Sequence, residues 1–587
     1  MRRNWRIKPA DEQRVSWLAD SLDLSPHIAR LLLHRGAASV SEASDFLNAD
    51  IGSLPSPFRM AGMEKAVRLI REAAAGRGKV LIVGDYDVDG LTSTAVLYRV
   101  IGEIGADVSC HIPHRINDGY GLKTDVIRRA AESGVKLLIT VDCGTTSFEE
   151  MKLARRLGLE TVVVDHHELL LAGPPPASAF LNPLQPQCGY PSKDLASVGV
   201  AFTLARGLLE RSGSGWVWDH LDLVALGTVA DLSPLVGENR ILVRAGLHRL
   251  RGTRKPGLRA LLSQTKLEAG RLTTEDISFC LAPRLNAMGR MGSAQTSLQL
   301  LITEDSEEAG SLVKQMNREN KNRAGLEREA FQRALAKVER EIDFSRDRVI
   351  VLEDERWHPG VVGIVATRLT ARFHRPTVVI ALSGPMCRGS ARSIRAFPLV
   401  EAFEEVKEHL LEFGGHPGAA GLTIAREQVP HFREALNRVA QEWIDPQMLT
   451  PSLEMDAEMP LSELTDGFMR DLEMLAPFGP GNPRPVFVSR DARVPAERKQ
   501  SPFSVMGVRF TLQDARGRAF DALQPRHEIA EGWNVRQLPL GPVEIVYSPV
   551  RRLGSDGLQI ELKLCDLKLP NTAAGAGPIG MGTGCPA

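Results

Sequence analysis

Three short apolar runs in this 587-residue chain each end in side chains that bind hard cations. LIVG is followed by Asp85-Tyr86-Asp87-Val88-Asp89-Gly90, LLITV by Asp142-Cys143-Gly144, and TVVV by Asp165-His166-His167. A further acid, Asp231, closes the apolar helical stretch GTVAD. Carboxylates with one or two imidazoles and no thiolate suit Mn²⁺ or Mg²⁺ better than a soft metal. Asp85, Asp87 and Asp89 alternate along the chain, so in an extended segment they share one side and repel unless cations neutralise them. A helix–loop–helix calcium site is excluded, because it needs a Glu six positions after Gly90 and Val96 stands there. Two cations roughly 3.5–4 Å apart, sharing a carboxylate, generate hydroxide near neutral pH and stabilise charge on an attacked phosphoryl group. Metal-assisted phosphoester hydrolysis is the chemistry these residues favour.

The elements that must bring the acids together are legible in the same segment. KVLIVG (79–84), VSCHIP (108–113), KLLITV (136–141) and TVVV (161–164) are continuous apolar runs separated by helix-period stretches, which predicts a parallel sheet covered on both faces. Functional groups in such a sheet gather beyond the carboxyl ends of its strands, so turns distant in sequence can converge in one crevice. Residues 304–342, rich in Glu, Lys, Arg, Ala and Leu, predict one long exposed helix able to join two lobes. A second α/β block comes after it (RVIVLE 348–353, a helix from about 360 to 369, PTVVIAL 376–382). Alternating runs from 452 to 567 predict an antiparallel barrel or sandwich. Ahead of the first block, HIARLLLHRG and VSEASDFL predict short helices that cap the adjoining α/β segment and end at Pro55 and Pro57.

Length alone argues for three to five domains at roughly 100–200 residues each. Lys+Arg and Asp+Glu are both 72, so no global basic field recruits nucleic acid and any such binding must come from local grooves. The seven cysteines are scattered and never form CxxC pairs, which predicts reduced, isolated thiols. MRRNWRIKPADEQ lacks the apolar core of a signal peptide, and no run approaches the roughly 18 apolar residues of a membrane span; a soluble cytoplasmic protein is the expectation.

With these residues in place, the chain resembles the DHH phosphoesterase superfamily and, within it, the RecJ family of single-stranded-DNA-specific exonucleases. The resemblance runs from Trp5 to about Leu569 and rests on VGDYDVDGLTSTAVL (83–97), IPHRINDGYGL (112–122), VDCG (141–144), VDHHE (164–168), GTVADLSPL (227–235), APRLNAMGRM (282–291), WHPGVVGIVATRL (357–369), GSARS (389–393), FGGHPGAAG (413–421) and PFGPGNPRPVF (477–487). It departs from the usual pattern at Ala391, where Gly is common, at Pro417, where an acid is common, and at Ser197, where Gly is usual.

The resemblance implies an N-terminal helical cap (1–56), a parallel-sheet DHH catalytic domain (57–303), a connecting helix (304–345), an α/β DHHA1 domain (346–450), an all-β OB-fold domain (451–569) and a disordered tail (570–587). It implies two divalent cations, Mn²⁺ or Mg²⁺, held by Asp87, Asp89, Asp142, His166 and Asp231, with Asp142 as the bridge. His167 sits beside the scissile phosphate or completes the site, Asp165 orients a neighbouring imidazole, and Asp85 is either ligand or support. Arg115, Arg284 and Arg290 of the first lobe, with Ser390, Arg392 and His416 of the second, are the implied phosphate and end contacts. The implied activity is 5′→3′ hydrolysis of single-stranded DNA in repair and recombination by a monomer, assisted by a single-strand-binding protein and a RecQ-type helicase. Two alternatives stand beside it. One is a DHH phosphodiesterase for oligoribonucleotides, cyclic dinucleotides or small phosphoadenosine substrates, whose relatives lack the barrel. The other is a replisome adaptor with a dead core.

Overall fold

The computed structural model describes residues 3–115, 119, 121–210, 215–265, 267, 269–496, 507–525, 538, 540–554 and 557–569. The expected disordered tail, 570–587, lies outside the described residues. The chain divides into two compact units: Asn48–Gly325 with Pro477–Pro483, and Met1–Leu47 with Leu326–Ala476 and Arg484–Ala587.

The first unit is built on an all-parallel sheet of five strands: β1 (Lys79–Gly84), β2 (Asp107–His111), β3 (Val135–Val141), β4 (Glu160–Val164) and β5 (Ala179–Leu181). Their order across the sheet is β2-β1-β3-β4-β5. The chain leaves β1 toward one edge and returns through β3 on its other side, so the order reverses between β1 and β3. Open α/β sheets form their ligand crevice at that reversal, because the loops leaving neighbouring strand ends part in opposite directions. Three helices pack together against this sheet, Val88–Glu103, Ser197–Leu209 and Leu221–Ala230. The last is buried from Leu221 through Val229, as expected of a helix apolar on every side.

Inside this unit His220, at the start of that buried helix, has no hydrogen-bond partner for either ring nitrogen and is 6% exposed. Burial, with the Lys255 and Arg99 cations nearby, pushes its imidazole down to about 3. The unfolded chain therefore takes up this proton near pH 6.5 and the folded one does not, so stability is full above that pH and falls as the pH drops from 6.5 toward 3. At pH 5 the loss from this one group is up to about 2 kcal/mol. His220→Leu is expected to flatten that part of the acid limb of a thermal-melt series; an unchanged pH dependence would contradict the assignment.

The second unit holds a mixed sheet in the order Glu412–His416, Ala419–Ala425, Met386–Arg392, Thr377–Ala381, Ile350–Asp354, in which only the last pair runs parallel. Its second sheet closes on itself. Phe487–Val494 pairs with Gly507–Gln513 on one side and with Gly541–Gly554 on the other. The barrel is not purely antiparallel as the alternating runs suggest: Ala457–Glu458 lies parallel to Phe487–Val494, and Ala519–Pro525 parallel to Gly557–Lys568. Alternation reports which face is buried and carries no information on strand direction. The expected long helix is present as Ser306–Glu341.

The N-terminal helices do not cap the adjoining α/β segment; they belong to the unit that contains the barrel. An unanticipated strand, Asn4–Ile7, pairs parallel with Ser452–Met455, and Trp5 Nε1 donates to Asp566 Oδ2 at 2.8 Å. Four residues reading NWRI carry no periodic signal, and their pairing partner is supplied from more than 440 positions away. Among the described residues no helix is long and apolar enough to cross a membrane, and six cysteines are free thiols.

Candidate metal centre

Each acidic motif follows a strand of the first sheet, and local hydrogen bonds fix where its oxygens point. After β1, Asp87 caps the helix Val88–Glu103: its Oδ1 accepts from Asp89 N (2.9 Å) and Gly90 N (3.1 Å). Asp89 lies inside the first helical turn and is 1% exposed. Its two oxygens accept from Ser197 N (2.8 Å) and Val198 N (2.9 Å), the open amides at the start of the helix Ser197–Leu209. The extended-segment geometry expected for Asp85, Asp87 and Asp89 is therefore not what unites them: the chain turns at Asp87 and becomes helical, because that aspartate is a strong cap. Gly90 permits the turn, since a Cβ there would stand 2.6 Å from Asp85 O. Gly227 leaves room for Asp89 in the same way, its Cβ position being 2.2 Å from Thr92 Oγ1 and 3.1 Å from Asp89 Oδ1.

After β3, Asp142 adopts φ 59°, the left-handed region that non-glycine residues rarely occupy. Its Oδ1 accepts from Ser197 Oγ at 2.9 Å. After β4, Asp165 is buried and receives four donors. Thr145 N reaches Oδ2 (3.0 Å); His166 N (2.8 Å), His167 N (3.3 Å) and His167 Nδ1 (2.7 Å) reach Oδ1. Asp231 caps the C-terminus of the helix Leu221–Ala230, where the helix dipole disfavours an anion.

These segments converge. Ligand atoms of Asp85, Asp87 and Asp142 lie within 4.8 Å of one another; so do those of Asp89, His166 and Asp231, and those of Asp142, His166 and His167. Asp142 and His166 each join two of the three groups. His166 Nε2 is 3.4 Å from Asp142 Oδ1 and 3.9 Å from Asp89 Oδ2.

The electrostatics are those of a cation site. Burial, reinforced by the neighbouring carboxylates, drives Asp85, Asp89 and Asp142 well above the usual carboxylate range. Asp85 Oδ1 is buried with no hydrogen-bond partner. Burial also pushes Asp165 upward, but the His167 hydrogen bond and charge prevail and hold it below its ordinary value. The same pair raises His167 to about 9 against the opposing effect of burial. A set of hard oxygen and imidazole donors, crowded, mutually repelling and including an orphaned carboxylate oxygen, fits divalent cations.

Around this cluster, Arg115 lies over the Tyr86 ring at 5.0 Å, and Arg115 and Arg290 both act on the Tyr86 hydroxyl electrostatically. Arg284 Nε donates to Asn317 Oδ1 at 3.0 Å. In the second unit, Arg392 Nη1 donates to Ser390 Oγ (3.1 Å) and Ala391 O (2.7 Å), while exposed His416 accepts from Gly418 N through Nδ1 (3.2 Å). Ala391 is fully buried, so strand alternation turns its methyl away from the Ser390–Arg392 face, and the departure from glycine leaves that face unobstructed.

Two residues were not legible as functional. Gly363 opens the helix Val362–Phe373 directly against that face, with its Cβ position 3.0 Å from Ser390 Oγ and 3.4 Å from Arg392 Nη2. Ser197 registers in the sequence only as a departure, yet its hydroxyl and amide hold Asp142 and Asp89 together. Ser197→Ala is expected to weaken Mn²⁺ binding by about tenfold, the lower end for a group that orients a ligand, as read by calorimetry. Unchanged affinity would show the hydroxyl to be a bystander.

Comparison with known proteins agrees with this architecture. The DHH family N-terminal domain matches residues 79–228, the DHHA1 domain 346–442 and the RecJ OB domain 455–552. A DHH sheet, a DHHA1 domain and an OB barrel in one chain define a DHH-superfamily protein of the three-domain type. The single-stranded-DNA-specific exonuclease RecJ of Dickeya dadantii is 37% identical over 79% of this chain and 83% of its own length. That of Bacillus subtilis is 39% identical over 84% of this chain, which spans only 62% of that protein. The crystal structure of Thermus thermophilus RecJ in complex with Mn²⁺ superposes with a TM-score of 0.82 at 30% identity, covering 97% of this chain and 80% of that one. This chain belongs to the RecJ family.

Proposed function

We propose that this protein is a metal-dependent exonuclease that removes nucleotides from the 5′ end of single-stranded DNA. The observation that carries the reading is the convergence of acids and imidazoles from three strand ends and a helix terminus around a buried carboxylate oxygen that has no partner. Asp87, Asp89, Asp142, His166 and Asp231 hold two divalent cations, with Asp142 reaching both; Asp85 and His167 complete the shell. When bound, such a pair supplies a hydroxide at neutral pH and offsets charge on the attacked phosphoryl group. Asp165 fixes the His167 tautomer and turns its Nε2 outward, where it donates to a phosphate oxygen. The Arg115 and Arg290 guanidinium groups bind flanking phosphates, and Ser390, Arg392 and the helix start at Gly363 form a second anion pocket that receives the 5′ end.

The exonuclease names of the relatives, the RecJ OB domain and the complete donor set support this reading over a dinucleotide phosphodiesterase or an inactive adaptor. A role in DNA repair and recombination, a cytoplasmic location, a monomeric state, and cooperation with a single-strand-binding protein and a RecQ-type helicase belong to the same proposal.

The test is a digestion time course on 5′- and 3′-labelled single and double strands with Mn²⁺, Mg²⁺ or chelator. Mononucleotide release from the 5′ end of single strands only, abolished by chelator, is the expected result. Preferential cleavage of dinucleotides, or no cleavage with either metal, would overturn it.

A further inference from the structure

The exposed apolar side chains of the first unit are unevenly placed. Among its described residues the exposed large hydrophobics are Leu157, Leu170, Leu171, Leu232 and Phe279. All but Leu157 flank the metal cluster. Leu170 and Leu171 follow His167 by three and four positions, and Leu232 directly follows Asp231. Phe279 sits on the π-helical turn Ile277–Leu281, which packs against the helix that Asp231 caps.

Leu232 and Phe279 are the informative pair. Leu232 is 62% exposed and has φ 65°, so it meets the cost of the left-handed region without burying its side chain. At the position just past a helix cap, glycine would take this conformation freely. Phe279 is 78% exposed on a π-helical turn, a distortion that recurs at functional sites. Neither packing nor local backbone preference accounts for either residue.

We infer that Leu232 and Phe279 form an apolar rim that receives nucleobase faces of the strand being cut. This rests on the exonuclease reading. An unpaired strand bares the flat apolar faces of its bases, whereas a duplex keeps them inside its stack and offers chiefly phosphates to this surface. Arg115 and Arg290, beside Tyr86, neutralise the phosphates of the same segment while the rim takes its bases. Affinity then depends on bases being unpaired, and single-strand preference follows from chemistry at the metal rim itself.

The experiment compares 5′-phosphorylated single strands carrying normal nucleotides with strands whose first three nucleotides are abasic. Wild type, Leu232→Gly and Phe279→Ala are tested on both, and each protein is melted in parallel. Wild type is expected to lose about tenfold in kcat/KM on the abasic strand, chiefly through KM, the equivalent of about 1.4 kcal/mol of base contact. Each variant should lose a similar factor on the normal strand, and markedly less on passing to the abasic one. Leu232→Gly should melt no lower than wild type, because it relieves the strained φ. Variants that keep the full wild-type preference for bases would overturn the inference, as would a lowered melting temperature with equal losses on both strands. Wild type inactive on every single strand would instead refute the exonuclease reading, an outcome separable from the others.

Discussion

Asp142→Asn is expected to reduce nucleotide release by at least roughly a thousandfold while raising the thermal stability of the metal-free chain. The rate follows from position. Asp142 shares ligand distance with Asp85 and Asp87 on one side and with His166 and His167 on the other, so no other carboxylate reaches both groups. Losing cation stabilisation of the transition state costs several kcal/mol, and about 4 kcal/mol is a thousandfold. The stability gain has the opposite sign for the same reason. Without cations the buried Asp142 charge faces Asp89, Asp87, Asp85 and Asp165, and removing it relieves burial and repulsion. The amide retains an oxygen to accept from Ser197 Oγ. A gain of about 1–3 kcal/mol is the scale of one uncompensated buried charge, or a few degrees in the melting midpoint. Melting wild type and variant in chelator and then in Mn²⁺ checks both signs: the variant starts higher and gains little from the metal. A variant less stable than wild type in chelator would show that the cluster is neutral without ions.

Asp165→Asn should be the most damaging substitution among residues that need not touch a cation. Asp165 gathers four donors, and an asparagine placing its oxygen at Oδ1 directs its NH₂ at the Thr145 amide, donor against donor. The lost charge and the orphaned amide cost about 2–4 kcal/mol of stability. The rate falls about a hundredfold, because both imidazoles lose the group that sets their orientation. The imidazole of His167, held at about 9 chiefly by Asp165 against burial, should titrate closer to an ordinary histidine. A histidine NMR titration of metal-free protein reads that shift directly. An unmoved His167 would mean that other carboxylates hold its proton.

The convergence at the crevice could be anticipated because it depends on one rule of parallel sheets. Apolar runs name the strands, and Asp85, Asp142 and Asp165 follow them at the carboxyl ends, where the crevice must lie. What sequence periodicity could not supply is contact across chain segments. Ser197 joins Asp89 and Asp142 from more than 50 residues away from either, through a hydroxyl that reads as an ordinary helix residue. The turn at Asp87 was hidden by competition between two local patterns, since DYDVD alternates like a strand while its second aspartate caps a helix. The N-terminal strand was invisible because a four-residue strand acquires its identity from its partner, Ser452–Met455. Parallel pairs in the barrel were missed because direction leaves no trace in alternation.

Titration of the metal-free protein with Mn²⁺ by calorimetry, in wild type and in Asp142→Asn, tests most directly whether these dispersed acids form one paired-cation site. The expected result is two ions per wild-type chain and at most one weakly held ion in the variant. A wild-type chain that folds but takes up no Mn²⁺, or a variant that still binds two ions with unchanged affinity, would contradict it.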